Sequence, residues 1–154
     1  RQRIIAGERC TILDDTYNAS PDSMKAAVNV LSSMKTEGRK IAALSDMLEL
    51  GEEEKAYHYA VGKYIAEKEI DTVIAFGELS REILRGIKEN QVVGIEEQGF
   101  SAGRITLVYV ETREEMTQWL LSHVQPEDVV LLKASNGMRL SAVSKALQAA
   151  KKEV

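Results

Sequence analysis

Ile12-Leu13-Asp14-Asp15-Thr16-Tyr17-Asn18-Ala19-Ser20-Pro21-Asp22-Ser23-Met24 compresses a strand end, a polar turn and a helix start into one short run. Thr11, Ile12 and Leu13 are branched or apolar and read as strand, and Asp14 and Asp15 close it with two carboxylates. Ser20 is a good N-cap. Pro21 suits the first helical position, where its missing N–H costs nothing. Asp22 adds negative charge in the first turn, where the helix dipole favours it. Ligands in open α/β sheets lie just outside the carboxyl ends of the strands, so a polar cluster there is the first place to look for chemistry.

Working outward, the rest of the chain repeats the strand–polar exit–helix pattern. Residues 3–8 read as an edge strand, with Gly7, Glu8 and Arg9 turning into the strand that begins at Thr11. A helix is predicted over 21–36, with Met24, Ala27, Val28, Leu31 and Met34 on one face and Gly38 as its C′ residue. Residues 40–44 form a short apolar strand that exits into the loop 45–51. A helix over 52–68 turns Tyr57, Ala60, Val61, Tyr64 and Ile65 inward.

Residues 72–76 are the next strand, and Gly77-Glu78-Leu79-Ser80 leads into a helix reaching about 88 with Ile83, Leu84 and Ile87 inward. The stretch 89–103 lacks a period and reads as loop, with a short strand at 92–93. Residues 105–110 are a strand, and Thr112 and Glu115 form a capping box before a helix bearing Met116, Trp119, Leu120 and Val124. The last strand spans 129–132, and a final helix runs over 138–150. Alternating strands and helices imply an α/β domain, with a mostly parallel sheet of about five or six strands and helices on both faces.

The composition bounds the function. A chain of 154 residues with 44% apolar and 29% charged residues reads as one domain with a substantial core. The net charge of −4, with Lys and Arg spread among acids, excludes a basic nucleic-acid-binding stripe. No apolar run approaches the roughly 20 residues that span a bilayer. The single cysteine, Cys10, fits a reducing compartment, so a cytoplasmic location is expected. Position 1 is Arg and a strand-like run follows at once, which suggests an excised domain with a segment missing upstream.

A parallel sheet would gather four polar exits on one rim: Asp14, Asp15, Tyr17, Asn18 and Ser20; Asp46 and Glu49; Gly77 and Glu78; Lys133, Ser135, Asn136 and Arg139. Each also has a plainer reading. Residues 14–20 can be only a turn and cap, Asp46 and Glu49 solvated loop acids, and Lys133 a snorkelling side chain. His58, flanked by Tyr57 and Tyr59, reads as packing or surface. The two histidines and one cysteine give no zinc spacing, and no metal ligand is assigned. There is no G-x-G-x-x-G after the first strand and no G-x-x-x-x-G-K-[ST] loop. Any role with ATP is therefore an assisting one, with the phosphate-cradling loop supplied from elsewhere.

Residues 14–24 resemble the D-D-S-Y-N-A-N-P-D-S-M signature of the Mur ligases. Arg39-Lys40-Ile41-Ala42-Ala43-Leu44-Ser45-Asp46-Met47-Leu48-Glu49-Leu50-Gly51 resembles the family's G-R-x-I-A-V-L-G-D-M-L-E-L-G segment. His58 with Val61-Gly62 matches H-x-x-V-G, Gly77-Glu78-Leu79 the G-E-L loop, and Lys133-Ala134-Ser135-Asn136-Gly137-Met138-Arg139 the K-G-S-R-G-M-R loop. The matches fall in order along nearly the whole chain. Three positions depart from the pattern. Ser20 stands for Asn and keeps an N-cap oxygen. Ala134 stands for Gly, and Asn136 for Arg, which removes a bidentate carboxylate partner that Arg139 could replace.

The resemblance implies that residues 1–154 are the Rossmann-like carboxy-terminal domain of a three-domain ligase. It implies ATP-dependent amide formation in peptidoglycan precursor synthesis, with D-Ala-D-Ala joined to UDP-MurNAc-tripeptide through an acyl phosphate. ATP and Mg2+ would be held mainly by a central ATPase domain of the same chain, over which this domain closes. By the same resemblance Asp15, Asn18, Ser20 and Pro21 would meet the nucleotide. Lys133, Ser135, Asn136, Arg139, Asp46 and Glu49 would meet the dipeptide, and the isolated domain would be inactive. Two other classes stay open. A phospho-receiver domain shares an acidic pair after one strand and a Lys after another, but needs an acceptor Asp where Phe76-Gly77-Glu78 stands. A non-catalytic small-molecule binding module is the other.

Overall fold

The computed structural model describes residues 2–91 and 105–151. The expected strand at 92–93 lies outside them. Among the described residues, six strands form one sheet: β1 (Arg3–Ala6), β2 (Thr11–Asp15), β3 (Lys40–Leu44), β4 (Thr72–Phe76), β5 (Thr106–Val110) and β6 (Val129–Lys133). Their spatial order is β1-β2-β6-β3-β4-β5. Only β1 runs antiparallel, pairing Arg3 with Asp14 and Ala6 with Thr11, and the other pairings are parallel.

Among the described residues, five helices cover the sheet: α1 (Pro21–Ser33), α2 (Glu54–Ile65), α3 (Ser80–Asn90), α4 (Arg113–His123) and α5 (Leu140–Ala149). The period of two in each strand divides the core. Leu13, Ala42, Val73 and Leu131 pack with Met24 and Leu31 of α1, Val61 of α2 and Ile83 of α3. Ile12, Ile41, Ile74 and Leu132 face the other way, onto Met116 and Leu120 of α4 and Val143 and Leu147 of α5. Fully burying a side chain such as Ile74 or Leu131 stabilises by about 1.5–3 kcal/mol. The expected α/β architecture with two helical layers is what the chain adopts.

The topology creates a crevice. From β2 the chain moves outward through α1, α2 and α3 on one face to β5, then returns by α4 on the other face to β6. β6 therefore sits between β2 and β3. The helix leaving β2 and the helix leaving β6 lie on opposite faces, so their exit loops diverge. That divergence is the switch point at which open α/β sheets bind ligands.

Several boundaries differ from the sequence reading. β2 carries Asp14 and Asp15 inside the strand, because Asp15 pairs with Lys133 of β6 in the parallel ladder. α1 stops at Ser33, where Met34 turns extended, and Gly38 is not its C′ residue. Gly38 instead lies so close to the Glu127–Asp128 backbone that a Cβ would overlap it. Residues 51–53 are a 3-10 turn ahead of α2. On α2 it is His58 that is fully buried, while Tyr57 is 43% exposed. The final helix begins at Leu140 after a 3-10 turn at Asn136–Met138 and a left-handed Arg139.

Candidate functional site at the carboxyl rim

The polar exits of β2, β3, β4 and β6 share one rim, because those strands are parallel. At the switch point Lys133 leaves β6 beside β2. Its Nζ stands 3.0 Å from Asp15 Oδ2 and donates to the Asn18 carbonyl oxygen at 2.8 Å. Lys133 is 2% and Asp15 7% exposed. Gln2 Nε2 also donates to Asp15 Oδ2 at 3.3 Å. Hydrogen bonds from Gln2 to Asp15 and from Lys133 to the Asn18 carbonyl accompany the pair and offset part of the cost of burying it.

Asn18 is exposed, and its Oδ1 accepts the Ala19 N–H at 2.9 Å. Its amide nitrogen donates to no described residue. Ser20 caps α1: its Oγ accepts the Ser23 N–H at 3.1 Å, and Ser23 Oγ accepts the Ser20 N–H at 2.8 Å. This reciprocal box and Pro21 fix where the helix starts. Thr112, where a box was expected, caps with its own side chain, and the Glu115 carboxylate accepts the Thr112 hydroxyl rather than its backbone N–H. Gln2, Asp15, Asn18, Ser20, Ser23 and Lys133 line a cleft of about 400 Å³. Gln2 and Ser23 were not singled out in the sequence; the Ser-x-x-Ser spacing was a signal for the second.

Next to this cleft, Asp14 is turned to the other side of β2. Its Oδ1 accepts from Thr16 N–H and Oγ at 3.3 and 2.9 Å, and its Oδ2 from Ser144 Oγ at 2.6 Å and Arg3 at 3.3 Å. Burial pushes its pKa up, but the Ser144 and Thr16 hydrogen bonds and the Arg3 charge outweigh burial, so the pKa lies below the usual carboxylate value.

The remaining candidates form a second group on the β3 and β6 exits. Asp46 is 6% exposed and accepts the Ser80 N–H at 2.8 Å and the Ser80 hydroxyl at 2.7 Å, so it caps α3 from outside the helix. Gly77 allows this: its φ is +106°, and a Cβ there would overlap the Asp46 carboxylate. Ser135 Oγ accepts the Leu48 N–H at 2.8 Å, and its own N–H donates to the Asp46 carbonyl at 3.0 Å. Glu49, Asn136 and Arg139 are exposed at the ends of these loops. Among the described residues, Glu49 and Arg139 are the non-glycine residues with positive φ, at 62° and 58°. Strained backbone of this kind gathers at ligand sites. Thus Lys133 is brought to Asp15 and Asn18, while Ser135 is brought to the 45–51 loop. Among the described residues no group of three His, Cys, Asp or Glu side chains comes together to hold a metal, and no helix is long and apolar enough to cross a membrane.

Known proteins are similar to this chain in sequence and fold. The UDP-N-acetylmuramoyl-tripeptide–D-alanyl-D-alanine ligase of Bacillus subtilis is 34% identical over 137 residues, covering 89% of this chain and 28% of that protein. The ligase of the same description from Mycobacterium tuberculosis is 31% identical over 155 residues, covering 93% and 29%. The crystal structure of MurF ligase from Thermotoga maritima in complex with ADP superposes with a TM-score of 0.70 at 26% identity, covering 95% of this chain and 30% of that one. The chain therefore spans less than a third of the length of these three relatives. The family described as Mur ligase, glutamate ligase domain matches residues 1–136, and the chain belongs to that family.

Proposed function

We propose that this chain is the carboxy-terminal domain of a ligase that joins D-Ala-D-Ala to UDP-MurNAc-tripeptide, closing over ATP and positioning the dipeptide. The observation that carries the reading is the Lys133–Asp15–Asn18 junction, which lies at the switch point of the sheet in the same chain order as the family motifs. Similarity to UDP-N-acetylmuramoyl-tripeptide–D-alanyl-D-alanine ligases over most of the chain supports the choice of substrate, and the likeness to an ADP-bound MurF supports the nucleotide.

The cleft residues fit a nucleotide. In this reading Lys133, expected at the dipeptide, serves the nucleotide instead: it commits two of its three ammonium hydrogens within the protein, to Asp15 and the Asn18 carbonyl, and the Asn18 amide nitrogen is uncommitted among the described residues. These are donors suited to anionic oxygens. Ser20, Ser23 and Pro21 hold the start of α1 beside them, where the helix dipole also favours negative charge. ATP, when bound, supplies the phosphoryl group that activates the tripeptide carboxylate. This chain orients the nucleotide from one side, presents Ser135, Asn136, Arg139 and Glu49 to the dipeptide, and excludes water as it closes. Mg2+ belongs to the central domain in this reading, and the reaction is cytoplasmic.

The test is a reconstituted parent ligase carrying this domain, assayed for phosphate release. Release should require ATP, the tripeptide nucleotide and D-Ala-D-Ala together, and the 154-residue chain alone should show none. Turnover by the chain alone, or preference for a single amino acid over the dipeptide, overturns the reading.

A further inference from the structure

His58 is fully buried and lies away from the Lys133–Asp15 cleft. Its Nδ1 lies 2.6 Å from the Glu54 carbonyl oxygen, and its Nε2 lies 3.0 Å from the Met47 backbone nitrogen. A carbonyl only accepts and an N–H only donates, so these partners assign the proton to Nδ1 and leave Nε2 as an acceptor. The ring is thus neutral and locked in one tautomer.

What it holds is the loop after β3. Each residue of that loop commits its groups in turn. Ser45 N–H donates to the Lys133 carbonyl at 3.2 Å, and Ser45 Oγ to the Phe76 carbonyl at 2.6 Å. Asp46 spends its carboxylate on Ser80 and its carbonyl on the Ser135 N–H. Met47, with its side chain fully buried, gives its N–H to His58, and Leu48 gives its N–H to Ser135 Oγ. Glu49 then emerges exposed at φ +62°. The anchors come from neighbouring strands and their exits, apart from Ser80 at the head of α3 and His58, which reaches in from the middle of α2.

We propose that His58 is a positioning residue for the amine-side substrate: its Nε2 fixes Met47, and so sets the geometry in which Ser135 and Glu49 meet the incoming dipeptide. The proposal rests on the ligase reading above. Removing the acceptor leaves a buried N–H unpaired in the middle of the loop, and the loop must shift to rehydrate it.

Two variants divide the roles of the ring. His58→Gln can place an acceptor near the Nε2 position, whereas His58→Asn can keep only the donor to Glu54. In the full-length parent, His58→Gln should stay close to wild type. His58→Asn should raise KM for D-Ala-D-Ala on the order of tenfold, with KM for ATP changed less than about twofold. Equal behaviour of the two variants, or parallel rises in both KM values, overturns the proposal. A parent that does not ligate D-Ala-D-Ala rejects the ligase reading; one that does, with dipeptide KM unchanged in both variants, rejects the His58 proposal alone. Should either variant not fold, 15N NMR of the wild-type chain decides. A coupling across the hydrogen bond between the Met47 amide and an unprotonated His58 Nε2 is expected, and a protonated Nε2 overturns the proposal.

Discussion

Lys133 Nζ and Asp15 Oδ2, 3.0 Å apart on adjacent parallel strands, join the first and last exits of the sheet through one buried ion pair. Removing either partner strands the other charge in a site with little solvent, which costs about 3–5 kcal/mol. Lys133→Met and Asp15→Asn should each lower the urea midpoint of this chain sharply. The double variant should be less destabilised than the sum of the two, because it leaves no orphaned charge. Unchanged midpoints in both single variants would show that the pair contributes nothing to the fold.

The strands were legible because they are short apolar runs between polar exits, and residues 40–44 and 72–76 match their observed bounds. The sheet order was not legible. Inserting β6 between β2 and β3 depends on a pairing between residues far apart in the chain, such as Leu13 with Leu131, and no local pattern encodes it. The rim could be foreseen once the sheet was taken as parallel. How its residues divide could not, since Lys133 turns to Asp15 while Ser135 turns to Leu48. Tyr57 was expected to face inward for a related reason. Apolar periodicity ranks Tyr57 above a histidine, but the Met47 N–H waiting in another loop makes the imidazole the better buried group. The halt of α1 at Ser33, ahead of the expected Gly38, likewise depends on where the Glu127–Asp128 backbone passes.

Asp14 ties stability to pH. Its folded pKa is lowered, so the ionised form is favoured by folding. The associated stability is complete above the unfolded value of about 3.9 and is lost as pH falls through the lower folded value. Acid unfolding of the wild type should therefore steepen below about pH 4. Ser144→Ala removes the strongest of the lowering hydrogen bonds and should move the Asp14 titration upward, read by carboxyl 13C NMR. A titration unmoved in that variant would contradict the role given to Ser144.

Cys10 reports on global opening. Burial and the nearby Asp128 charge push its pKa up to about 11, and the residue is 1% exposed. At neutral pH only about one thiol in ten thousand is then ionised, and the thiolate is the reactive form. Labelling by a disulfide reagent at pH 7.5 should be very slow in the native chain and should rise in step with urea unfolding. Fast labelling without urea would mean that the turn leading into β2 opens locally.

Gly62 and Gly86 set the approach of α2 to α3. A Cβ on Gly62 would overlap the Ile83 carbonyl, and one on Gly86 the Tyr59 carbonyl, so in both cases backbone is the obstacle. Neither helix can yield without separating Val61 and Ile65 from Ile83 and Ile87. Gly62→Ala should destabilise by about 1–3 kcal/mol despite alanine's better helix propensity. Calorimetry that found Gly62→Ala as stable as wild type would show that the helices can slide apart freely.

Asn18 separates a turn residue from a nucleotide contact. Its Oδ1 accepts the Ala19 N–H, and its amide nitrogen is the group left for a ligand. Asn18→Asp keeps the acceptor and replaces the donor by a second anionic oxygen. If Asn18 only shapes the turn, that change is nearly silent, because the Ala19 hydrogen bond survives. If it meets phosphate oxygens, like charges are brought together and a donor is lost, each of which opposes binding. In the parent ligase, Asn18→Asp should keep the wild-type unfolding midpoint while lowering kcat/KM for ATP by at least about tenfold. Asn18→Ala should fall between the two, since it loses the donor without adding charge. A wild-type rate in Asn18→Asp would confine Asn18 to the turn and leave Lys133 as the donor to the nucleotide on this side of the cleft.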